Sequence, residues 1–525
     1  MLNRQENIQK YLHLMNPKII LIHPPVAKPA ERPAGIAKLS SCLKAYNINH
    51  RVIDANLEGI LYLIQNAAQN NAATDRWTLR ACKNLGRNLA ALQDSSTYNN
   101  KSRYRRTVMD INHLLNSADR AQGVDMSLAD YHDSNLTPVK SLDLICAAVK
   151  YQDNPFYPYF ETRLTDALKE GPEFIGFSLN YLSQALCTFA MIGFIKNINQ
   201  RQKIILGGSL VTSWVKLGIC DDMFSGLVDE MVAGAGEQKL LELLGINDDR
   251  INYPPDYKEF SGNQYFAPGI ILPYSSSRGC YWRNCAFCPE KSEENPYLPL
   301  SVSQALEELQ ALTRQTNPAL IHLLDNAISP ALLKALAQEQ LGIPWYGFTR
   351  VTNHLADDDF CLALKKSGCV MLKLGIESGD QDVLDQLNKG IDLPTASAVL
   401  KSLKKAGIAT YCYFLFGTPA ETEAGARKTL EFVRQHHDYI EFLNLAIFNL
   451  PSGSIEAQSL ETGDFYEGDL SLYKSFQHPS GWHRPVVRNF LEKTFKKHPA
   501  IASIVQRMPE YFTSNHAPFF VLNKT

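Results

Sequence analysis

Short apolar runs, each closed by proline, glycine or polar residues, alternate along this chain with stretches of helical spacing. The first run, 18–22, stops at Pro24-Pro25; a helical stretch follows over 33–46, and a second run covers 50–54. Runs this short and this apolar are typical of strands buried in a parallel sheet. A strand, helix, strand succession at this spacing predicts a doubly wound, flavodoxin-like α/β domain.

The same α/β series is interrupted and then resumes. Residues 57–170 are polar but keep apolar residues at helical spacing, which predicts a helical insertion rather than a linker. Further strand-like runs cover 174–179, 203–206 and 227–232. The domain predicted over 1–250 therefore has about five strands. Residues 245–265, rich in Asp, Tyr, Pro and Gly, are predicted to form an interdomain linker.

A second α/β series begins near residue 270. Its strand-like runs cover 270–275, 319–325, 344–350, 369–376, 408–416 and 440–446. Six such strands with helical stretches between them favour a partial (β/α)6 barrel over 265–450, although spacing alone leaves a second open sheet as the alternative. The remaining C-terminal region, 451–525, matches no motif with a physical rationale. It is expected, with the insertion and the barrel mouth, to select the substrate.

Composition excludes several classes of protein. The 525 residues carry 52 Lys and Arg against 54 Asp and Glu, a formal net charge of −2. Such a balance offers no electrostatic footprint for duplex nucleic acid or for an anionic membrane surface. No apolar run approaches the roughly 18 residues of a membrane-spanning helix, and Met1–Gln9 lack the layout of a secretory signal. We therefore expect a soluble, cytoplasmic, multidomain protein that binds neither membranes nor bulk nucleic acid.

Eleven cysteines, an odd number, are too few for a disulfide scaffold in a chain of this length. Eight lie scattered in mostly apolar surroundings, where a buried thiol is ordinary: Cys42, Cys82, Cys146, Cys187, Cys220, Cys361, Cys369 and Cys412. Cys280, Cys285 and Cys288 instead fall within nine residues, directly after the first strand of the second series. Three thiolates on one loop suit a four-iron cluster that keeps one iron open, whereas structural zinc normally takes four ligands. Zinc binding and ordinary thiols remain the alternatives.

The segment Arg278–Cys288 resembles the cluster loop of the radical SAM superfamily. It has four residues between its first two cysteines, where the commonest family spacing has three, and it keeps an aromatic residue, Phe287, before the third. The resemblance implies that Cys280, Cys285 and Cys288 bind a [4Fe–4S] cluster, whose open iron is chelated by the amine and carboxylate of S-adenosylmethionine. It also implies reductive cleavage of that cofactor to methionine and a 5′-deoxyadenosyl radical.

The resemblance further assigns S-adenosylmethionine contacts to residues near the ends of the barrel strands. They are Phe287, Asp325, Arg350, Glu377, Ser378 and Gly417. Glu377 is able to accept from ribose hydroxyls or an ammonium, and Arg350 is able to pair with a carboxylate. Each also has a structural alternative, since Glu377 could face solvent and Arg350 could form an ordinary salt bridge. No residue is assigned as a catalytic acid or base.

The loop after the fifth barrel strand has a complete structural explanation of its own. Thr418, Pro419 and Glu421 fit the first positions of a helix with a capping box. The resemblance adds that this loop packs against adenine through its backbone. Both interpretations are compatible, and Glu421 is not predicted to be catalytic.

Small polar residues follow the strands of the N-terminal domain, at the edge where doubly wound sheets bind ligands. They are Asp54, Asn180, Gly207, Gly208, Ser209, Gly234 and Gly236. Glycine pairs let backbone approach a large planar or phosphate-bearing ligand, although ordinary α/β turns carry glycine as well. Ahead of a radical SAM barrel, the pattern resembles the cobalamin-binding domain of the cobalamin-dependent radical SAM group. The histidine signature that ligates cobalamin elsewhere, Asp-x-His-x-x-Gly, is absent, because Asp130-Tyr131-His132 is followed by Asn135 in place of glycine.

These resemblances imply a cobalamin-dependent radical SAM methyltransferase that acts on an unactivated carbon. One alternative is a radical SAM enzyme that catalyses a non-methylating rearrangement, cyclisation or oxidation, and another is a non-catalytic iron–sulfur protein. A methylthiotransferase is disfavoured, because the N-terminal domain carries no second cysteine triad. The expected partners are a small-molecule or peptide substrate and an external electron donor such as flavodoxin or ferredoxin.

Overall fold

The structure of the protein is a computed structural model that describes residues 17–69, 75–117, 123–219, 221–248, 252–262, 264–509 and 519. Met1–Gln9 and Cys220, which entered the predictions above, lie outside the described residues. The chain forms two compact units: unit 1 runs to Ala267 and includes Glu467–Leu472, and unit 2 starts at Pro268 and resumes at Tyr473. None of the helices that the structure describes is both long and apolar enough to cross a bilayer.

Unit 1 is organised by a parallel sheet. Its strands are β1 (Ile19–Ile22), β2 (His50–Ile53), β3 (Val124–Met126), β4 (Tyr131–Asp133), β5 (Phe174–Ser178), β6 (Lys203–Gly207) and β7 (Glu230–Val232). Five of them lie in the order β2-β1-β5-β6-β7 with every neighbouring pair parallel, and they are the five runs that the sequence predicts as strands. The order reverses after β1, so the topological switch point of this sheet lies between β1 and β5.

Helices connect these strands and form most of the insertion. They are α1 (Ala34–Ala45), α2 (Ala55–Gln69), α3 (Arg76–Gln93), α4 (Ser95–Tyr98), α5 (Lys101–Ser117), α6 (Ser141–Val149), α7 (Tyr157–Lys169), α8 (Leu182–Ile198), α9 (Ser209–Lys216) and α10 (Gly236–Leu243), with 3-10 turns at Tyr151–Asp153, Asp221–Phe224 and Lys258–Phe260. Helix α3 begins where the Asp75 carboxylate accepts from the Trp77 and Thr78 amides. Helix α8 is apolar around its circumference and buried from Gln184 to Ile195, which makes it part of the core.

The insertion predicted over 57–170 departs from the expectation in one segment. Strands β3 and β4 form an antiparallel hairpin within it, so Tyr131 and His132 lie on a strand rather than on a helix. In β3, the side chains of Val124, Asp125 and Met126 are buried, exposed and buried in turn. That alternation is the period of a strand, and a run of three residues is too short for the sequence to reveal it.

The predicted linker, 245–265, is packed into unit 1 where it is described. Phe260 is only 1% exposed and Tyr265 only 8%. Lys44 Nζ on α1 donates to Asp256 at 2.9 Å. Aromatic side chains bury a large apolar area, which holds this segment against the unit despite its loop-like composition.

Unit 2 is organised by a second parallel sheet. Its strands are β8 (Ile271–Tyr274), β9 (Ser277–Arg278), β10 (Leu298–Pro299), β11 (Leu320–Leu323), β12 (Trp345–Thr349), β13 (Cys369–Glu377), β14 (Ala409–Phe416), β15 (Phe442–Ile447), β16 (Leu450–Pro451), β17 (Thr462–Asp464) and β18 (Tyr473–Phe476). Six of them lie in the order β15-β14-β13-β12-β11-β8, all parallel, and they are the six runs predicted for the second series. Parallel strands in unbroken chain order are typical of (β/α) barrels, whereas doubly wound sheets reverse.

Helices follow the strands of unit 2. They are α11 (Pro289–Ser292), α12 (Val302–Thr316), α13 (Pro330–Gln338), α14 (Asp358–Lys366), α15 (Gln381–Gln386), α16 (Leu393–Ala406), α17 (Glu423–His436), α18 (Ile455–Ser459), α19 (Arg484–Phe490) and α20 (Pro499–Arg507), with 3-10 turns at Asn353–Ala356 and His437–Tyr439 and a π turn at Leu491–Phe495. Ser301, Ser329 and Asp392 cap α12, α13 and α16 by accepting from backbone amides. The C-terminal region adds the small antiparallel sheet β16-β18-β17 and the last three helices.

Candidate functional site

The cysteine loop starts from a strand end that a buried carboxylate holds in place. Asp325, directly beyond β11, accepts from the hydroxyls of Ser276 and Ser277 at 2.6 Å each. It also accepts from the Ser276 amide at 3.2 Å, and its side chain is 2% exposed. These bonds tie the chain after β8 to the end of β11. The structure thus places Asp325 as a support of the cysteine loop.

The three cysteines of the loop are free thiols in a half-buried setting. Cys285 is 8% exposed, and Cys280 and Cys288 are of intermediate exposure. Burial raises the pKa of the Cys288 thiol to about 11. Burial also raises the pKa of Cys285, while the nearby Lys389 and Arg350 cations lower it. The two cations therefore favour a thiolate at Cys285, the form that binds iron.

Across the described ranges, no three Cys, His, Asp or Glu side chains are placed to hold a single metal ion. A four-iron cluster makes a different demand, because each thiolate binds its own iron. The donor set fits such a cluster in its chemistry: three free thiols lie on one short loop, and two cations lie beside the most buried of them.

Arg350 connects the cysteine loop to the turn before α16. Its Nη1 lies 3.8 Å from Cys285 Sγ, and its Nη2 donates to the carbonyl oxygen of Lys389. The guanidinium also lies 4.1 Å above the Trp282 ring, a cation–π contact. The side chain is 6% exposed, so it lies buried beside Cys285. The ordinary surface salt bridge considered as its alternative is not what the structure shows.

Glu377 forms a buried ion pair with Lys389. Lys389 Nζ lies 2.8 Å from Glu377 Oε1, and the two side chains are 7% and 12% exposed. Lys389 Nζ also lies 5.6 Å above the ring of Phe287, which places this ion pair against the cysteine loop. Glu377 adopts a φ of +70° where the register between β13 and β14 shifts. An irregular backbone of this kind at a strand end is typical of functional sites.

Lys389 is the site residue that sequence reasoning missed. It lies in a turn whose Leu387 carbonyl accepts from the Ala286 amide at 3.0 Å. The Trp282 indole N–H donates to the neighbouring Asn388 carbonyl at 3.1 Å. An isolated lysine in a polar turn carries no sequence signal of its own, because only the fold brings this turn to the cysteine loop.

Among the described residues, the hydrogen bonds of Ser378 and Gly417 go to partners other than the three cysteines of the loop. Ser378 is fully buried, accepts from the Asp380 amide at 3.1 Å and lies 3.2 Å from Thr429 Oγ1. The Gly417 amide donates to Glu421 Oε2 at 2.6 Å. Both residues hold local turns in place.

The predicted capping box at Thr418, Pro419 and Glu421 is wrong. Helix α17 starts later, at Glu423, and its cap is Thr422, whose hydroxyl accepts from the Gly425 amide at 3.2 Å. Glu421 is fully buried and accepts from the Trp482 indole N–H at 2.9 Å. Burial raises its pKa to about 7, against the opposing effect of its two hydrogen bonds. A partner 61 residues away draws this carboxyl inward, which local spacing could not reveal.

In unit 1, two of the polar residues predicted at the ligand-binding edge are committed to internal bonds. Asp54 is 3% exposed and accepts from the Tyr265 hydroxyl at 2.5 Å and the Leu57 amide at 3.0 Å. Asn180 Oδ1 accepts from the Ser209 amide at 3.1 Å. The Asn180–Ser209 bond joins the turns after β5 and β6, and the Asp54 bonds hold the turn after β2 against Tyr265.

The glycines at the same edge differ in what they need. Gly208 has a φ of +113°, and a Cβ added there would collide with the carbonyl oxygen of Leu179. Packing alone thus explains this glycine. Gly234 is exposed and faces open space, and Gly207 and Gly236 lie on the same carboxyl edge as Ser209.

Comparison with known proteins agrees with this geometry. Residues 274–433 match the family model of the radical SAM superfamily. An uncharacterised methyltransferase of Pyrococcus horikoshii is 26% identical over 312 residues, 52% of this chain and 67% of the relative. The anaerobic magnesium-protoporphyrin IX monomethyl ester cyclase of Rubrivivax gelatinosus is 22% identical over 339 residues, 52% of this chain and 58% of the relative. This chain thus matches about two thirds of the first relative and less of the second.

A solved structure shares the fold over nearly the whole chain. It is the radical S-adenosylmethionine methyltransferase TsrM of Kitasatospora setae with cobalamin and a [4Fe–4S] cluster bound, at a TM-score of 0.53 and 14% identity. The match covers 94% of this chain and 91% of TsrM. The resemblance inferred from the cysteine loop is confirmed over this segment: residues 274–433 form a radical SAM domain. A radical SAM domain implies a [4Fe–4S] cluster and S-adenosylmethionine as cofactors.

Proposed function

We propose that this protein is a cobalamin-dependent radical SAM methyltransferase that acts on an unactivated carbon. The observation that carries the proposal is the arrangement around Cys285, where Arg350 and the Glu377–Lys389 ion pair adjoin a loop of three free thiols. This arrangement stands in a partial (β/α)6 barrel. A flavodoxin-like domain precedes it. The parallel sheet of that domain, in unit 1, has the strand order β2-β1-β5-β6-β7.

Each cofactor group has a residue of matching chemistry in unit 2. Cys280, Cys285 and Cys288 would hold the cluster, which when bound would supply the electron that cleaves S-adenosylmethionine. Arg350 is placed to pair with the carboxylate of the methionyl moiety. Glu377 Oε1 accepts a hydrogen bond from Lys389 Nζ. The other oxygen, Oε2, would accept from a ribose hydroxyl or the methionyl ammonium. The ring of Phe287 lies 5.6 Å from Lys389 Nζ and adds a cation–π contact to this pair.

Unit 1 supplies the edge on which cobalamin would bind. Ser209, Gly234 and Gly236 lie at the carboxyl ends of β6 and β7, where glycine leaves room for a large planar ligand. Asp54 and Asn180 brace the turns of that edge. His132, the histidine of the incomplete signature, lies on the β3–β4 hairpin, and we do not assign it as a ligand. The cobalamin bound to TsrM and the name of the Pyrococcus relative support this proposal.

A second candidate is a non-methylating radical reaction such as ring formation. The specific observation in its favour is the Rubrivivax relative, a cyclase by name. Its match covers 52% of this chain, as does the match of the Pyrococcus methyltransferase. Both reactions start from the same cleavage of S-adenosylmethionine. They differ in the second product, because only methyl transfer forms S-adenosylhomocysteine.

The test is anaerobic reconstitution of the full-length protein, followed by incubation with dithionite, S-adenosylmethionine and added cobalamin. We expect about four irons per chain, retention of cobalamin through gel filtration, and release of 5′-deoxyadenosine together with S-adenosylhomocysteine. A physiological reductant such as flavodoxin or ferredoxin should replace dithionite. 5′-Deoxyadenosine without S-adenosylhomocysteine, and without cobalamin retention, would favour the second candidate.

A triple variant of the loop is compared with a double variant of cysteines outside it. Replacing Cys280, Cys285 and Cys288 by alanine should abolish iron binding and product formation. Replacing Cys82 and Cys146, which are also half-buried, should change neither. Full iron content in the triple variant would refute the assignment of the cluster ligands.

A further inference from the structure

One face of the unit 2 sheet carries a row of polar and aromatic side chains. Neighbouring strands pair His322 with Tyr346, Phe348 with Lys373, and Lys373 with Tyr411. Paired residues and those two apart on a strand share a face of the sheet. We call His322, Tyr346, Phe348, Lys373 and Tyr411 the Lys373 row.

The Lys373 row surrounds a buried ammonium group with an imidazole and aromatic rings. Lys373 is 4% exposed, and its Nζ lies 3.3 Å from His322 Nε2. The same Nζ lies 5.2 Å above the Tyr346 ring and 5.1 Å above the Phe348 ring. His322 stacks on Tyr346 at 4.4 Å with the planes 7° apart, which fixes the imidazole. A cation held in such a low-dielectric setting attracts an anion much more strongly than a surface lysine does.

The two faces of the sheet differ in the kind of side chain that they carry. Leu372, Leu374 and Cys412, on the opposite face, are fully buried. On the face of the Lys373 row, Phe348 and Tyr413 are partly exposed, with ring centroids 4.6 Å apart. The interior of a (β/α) barrel is usually filled by branched aliphatic side chains. Aromatic walls with a few convergent polar groups are instead typical of a ligand-binding site.

The Lys373 row continues along β13 into the site of the cysteine loop. Lys373 and Gly375 lie two positions apart on β13 and share a face of the sheet. A Cβ added at Gly375 would lie 2.5 Å from Glu377 Oε1 and 2.9 Å from Lys389 Nζ, so the Glu377–Lys389 pair lies directly over this glycine. At roughly 3.3 Å per residue, Lys373 and Glu377 are separated by about 13 Å along the strand. A molecule held at Lys373 thus extends toward the proposed S-adenosylmethionine site.

We propose that the Lys373 row binds the substrate of this enzyme, and that the substrate is a planar conjugated carboxylate. Its carboxylate pairs with Lys373 and His322, and its planar body packs against Phe348 and Tyr413. An ammonium beside an imidazole attracts a carboxylate, and aromatic rings favour a flat apolar partner. This inference rests on the proposed function, because it names the substrate class of the same barrel.

The experiment measures binding of two probes to the reconstituted full-length protein, by isothermal titration calorimetry without reductant. The probes are 2-naphthoate and 2-naphthamide, which share a planar body and differ in charge. Since hydrogen bonds to charged groups are among the strong ones, we expect Lys373→Met to weaken 2-naphthoate binding by about 10- to 100-fold. The same variant should leave 2-naphthamide binding within about twofold. Lys366→Met, at an exposed position on α14, should change neither affinity.

Three outcomes would overturn the inference: no binding of 2-naphthoate to the wild type, equal effects of Lys373→Met on both probes, or no effect on either. Should Lys373→Met unfold, His322→Gln replaces it and is expected to weaken 2-naphthoate binding selectively by about threefold to tenfold. Cleavage of S-adenosylmethionine by the reduced wild type is measured separately and without probe. Absence of that cleavage while selective naphthoate binding persists would sink the proposed function and leave this binding site standing.

Discussion

Replacing the buried carboxyl of Glu421 by an amide should remove the pH dependence that this group imposes on the stability of unit 2. Glu421 is fully buried, and its Oε2 accepts from the Gly417 amide and from the Trp482 indole N–H. Its Oε1 has no hydrogen-bond partner among the described residues. Glu421→Gln keeps a carbonyl oxygen for both donors and cannot ionise.

The magnitude follows from the pKa of this carboxyl, which burial raises from 4.5 to about 7 in the folded protein. Below pH 4.5 the group is protonated in the folded and unfolded states alike, and it contributes no pH dependence. Between pH 4.5 and about 7 only the unfolded state releases the proton, so stability falls as the pH rises. At about 1.36 kcal/mol per pH unit, the loss amounts to ~3 kcal/mol and is complete above pH 7.

The assay is thermal or denaturant unfolding of the wild type and of Glu421→Gln from pH 4.5 to pH 8. The variant should gain ~3 kcal/mol relative to the wild type across this range, or about 6 to 12 °C in melting temperature for a unit of this size. Trp482→Phe removes a donor that lowers the pKa of Glu421, so its stability loss should be centred at a higher pH. Glu423→Gln, an exposed carboxyl on α17, is the matched control and should follow the wild type.

The reasoning would be refuted by a stability difference between wild type and Glu421→Gln that stays constant from pH 4.5 to pH 8. Such a result would mean that Glu421 ionises in the folded state as readily as in the unfolded state. The Trp482 indole N–H would then donate to an ionised carboxylate in the folded state.

Three further predictions concern side chains that packing places together. Lys389→Met should destabilise unit 2 by about 3 kcal/mol in denaturant unfolding, because it leaves the buried Glu377 carboxylate without its cation, while Lys389→Arg should retain most of the stability. Gly375→Ala should cost about 1–3 kcal/mol by pushing that ion pair aside, and should slow release of 5′-deoxyadenosine in the reductive assay. Gly208→Ala should destabilise unit 1 by at least about 2 kcal/mol against Leu179, with iron content of the reconstituted protein unchanged.

The strands of both sheets could be predicted from the sequence because their signal is local. The run 18–22 and the run 369–376 are apolar, short and bounded, and both are strands in the structure. The β3–β4 hairpin could not be predicted, because three residues per strand are too few to show a period of two. The segment around Phe260 has the composition of a linker but is packed into unit 1. Composition alone does not tell whether a tyrosine or phenylalanine has a surface to pack on.

The candidate site divides in the same way between local and distant contacts. The three cysteines share one loop, so their spacing alone predicts a cluster site. The family resemblance predicts roles for Arg350 and Glu377 at strand ends, but the role of Asp325 as a support depends on two serines almost fifty residues earlier in the chain.

The sequence by itself determined the two α/β series, the order of their strands along the chain and the cysteine loop, because each depends on residues within one turn, one strand or one loop. Only the tertiary structure decided which polar groups meet: Lys389 with Glu377, Lys373 with His322, and Trp482 with Glu421. Pairs of this kind depend on strand register and on loop packing. A buried charge is tolerable only where the fold supplies its partner, and no local pattern in the chain records where that partner lies.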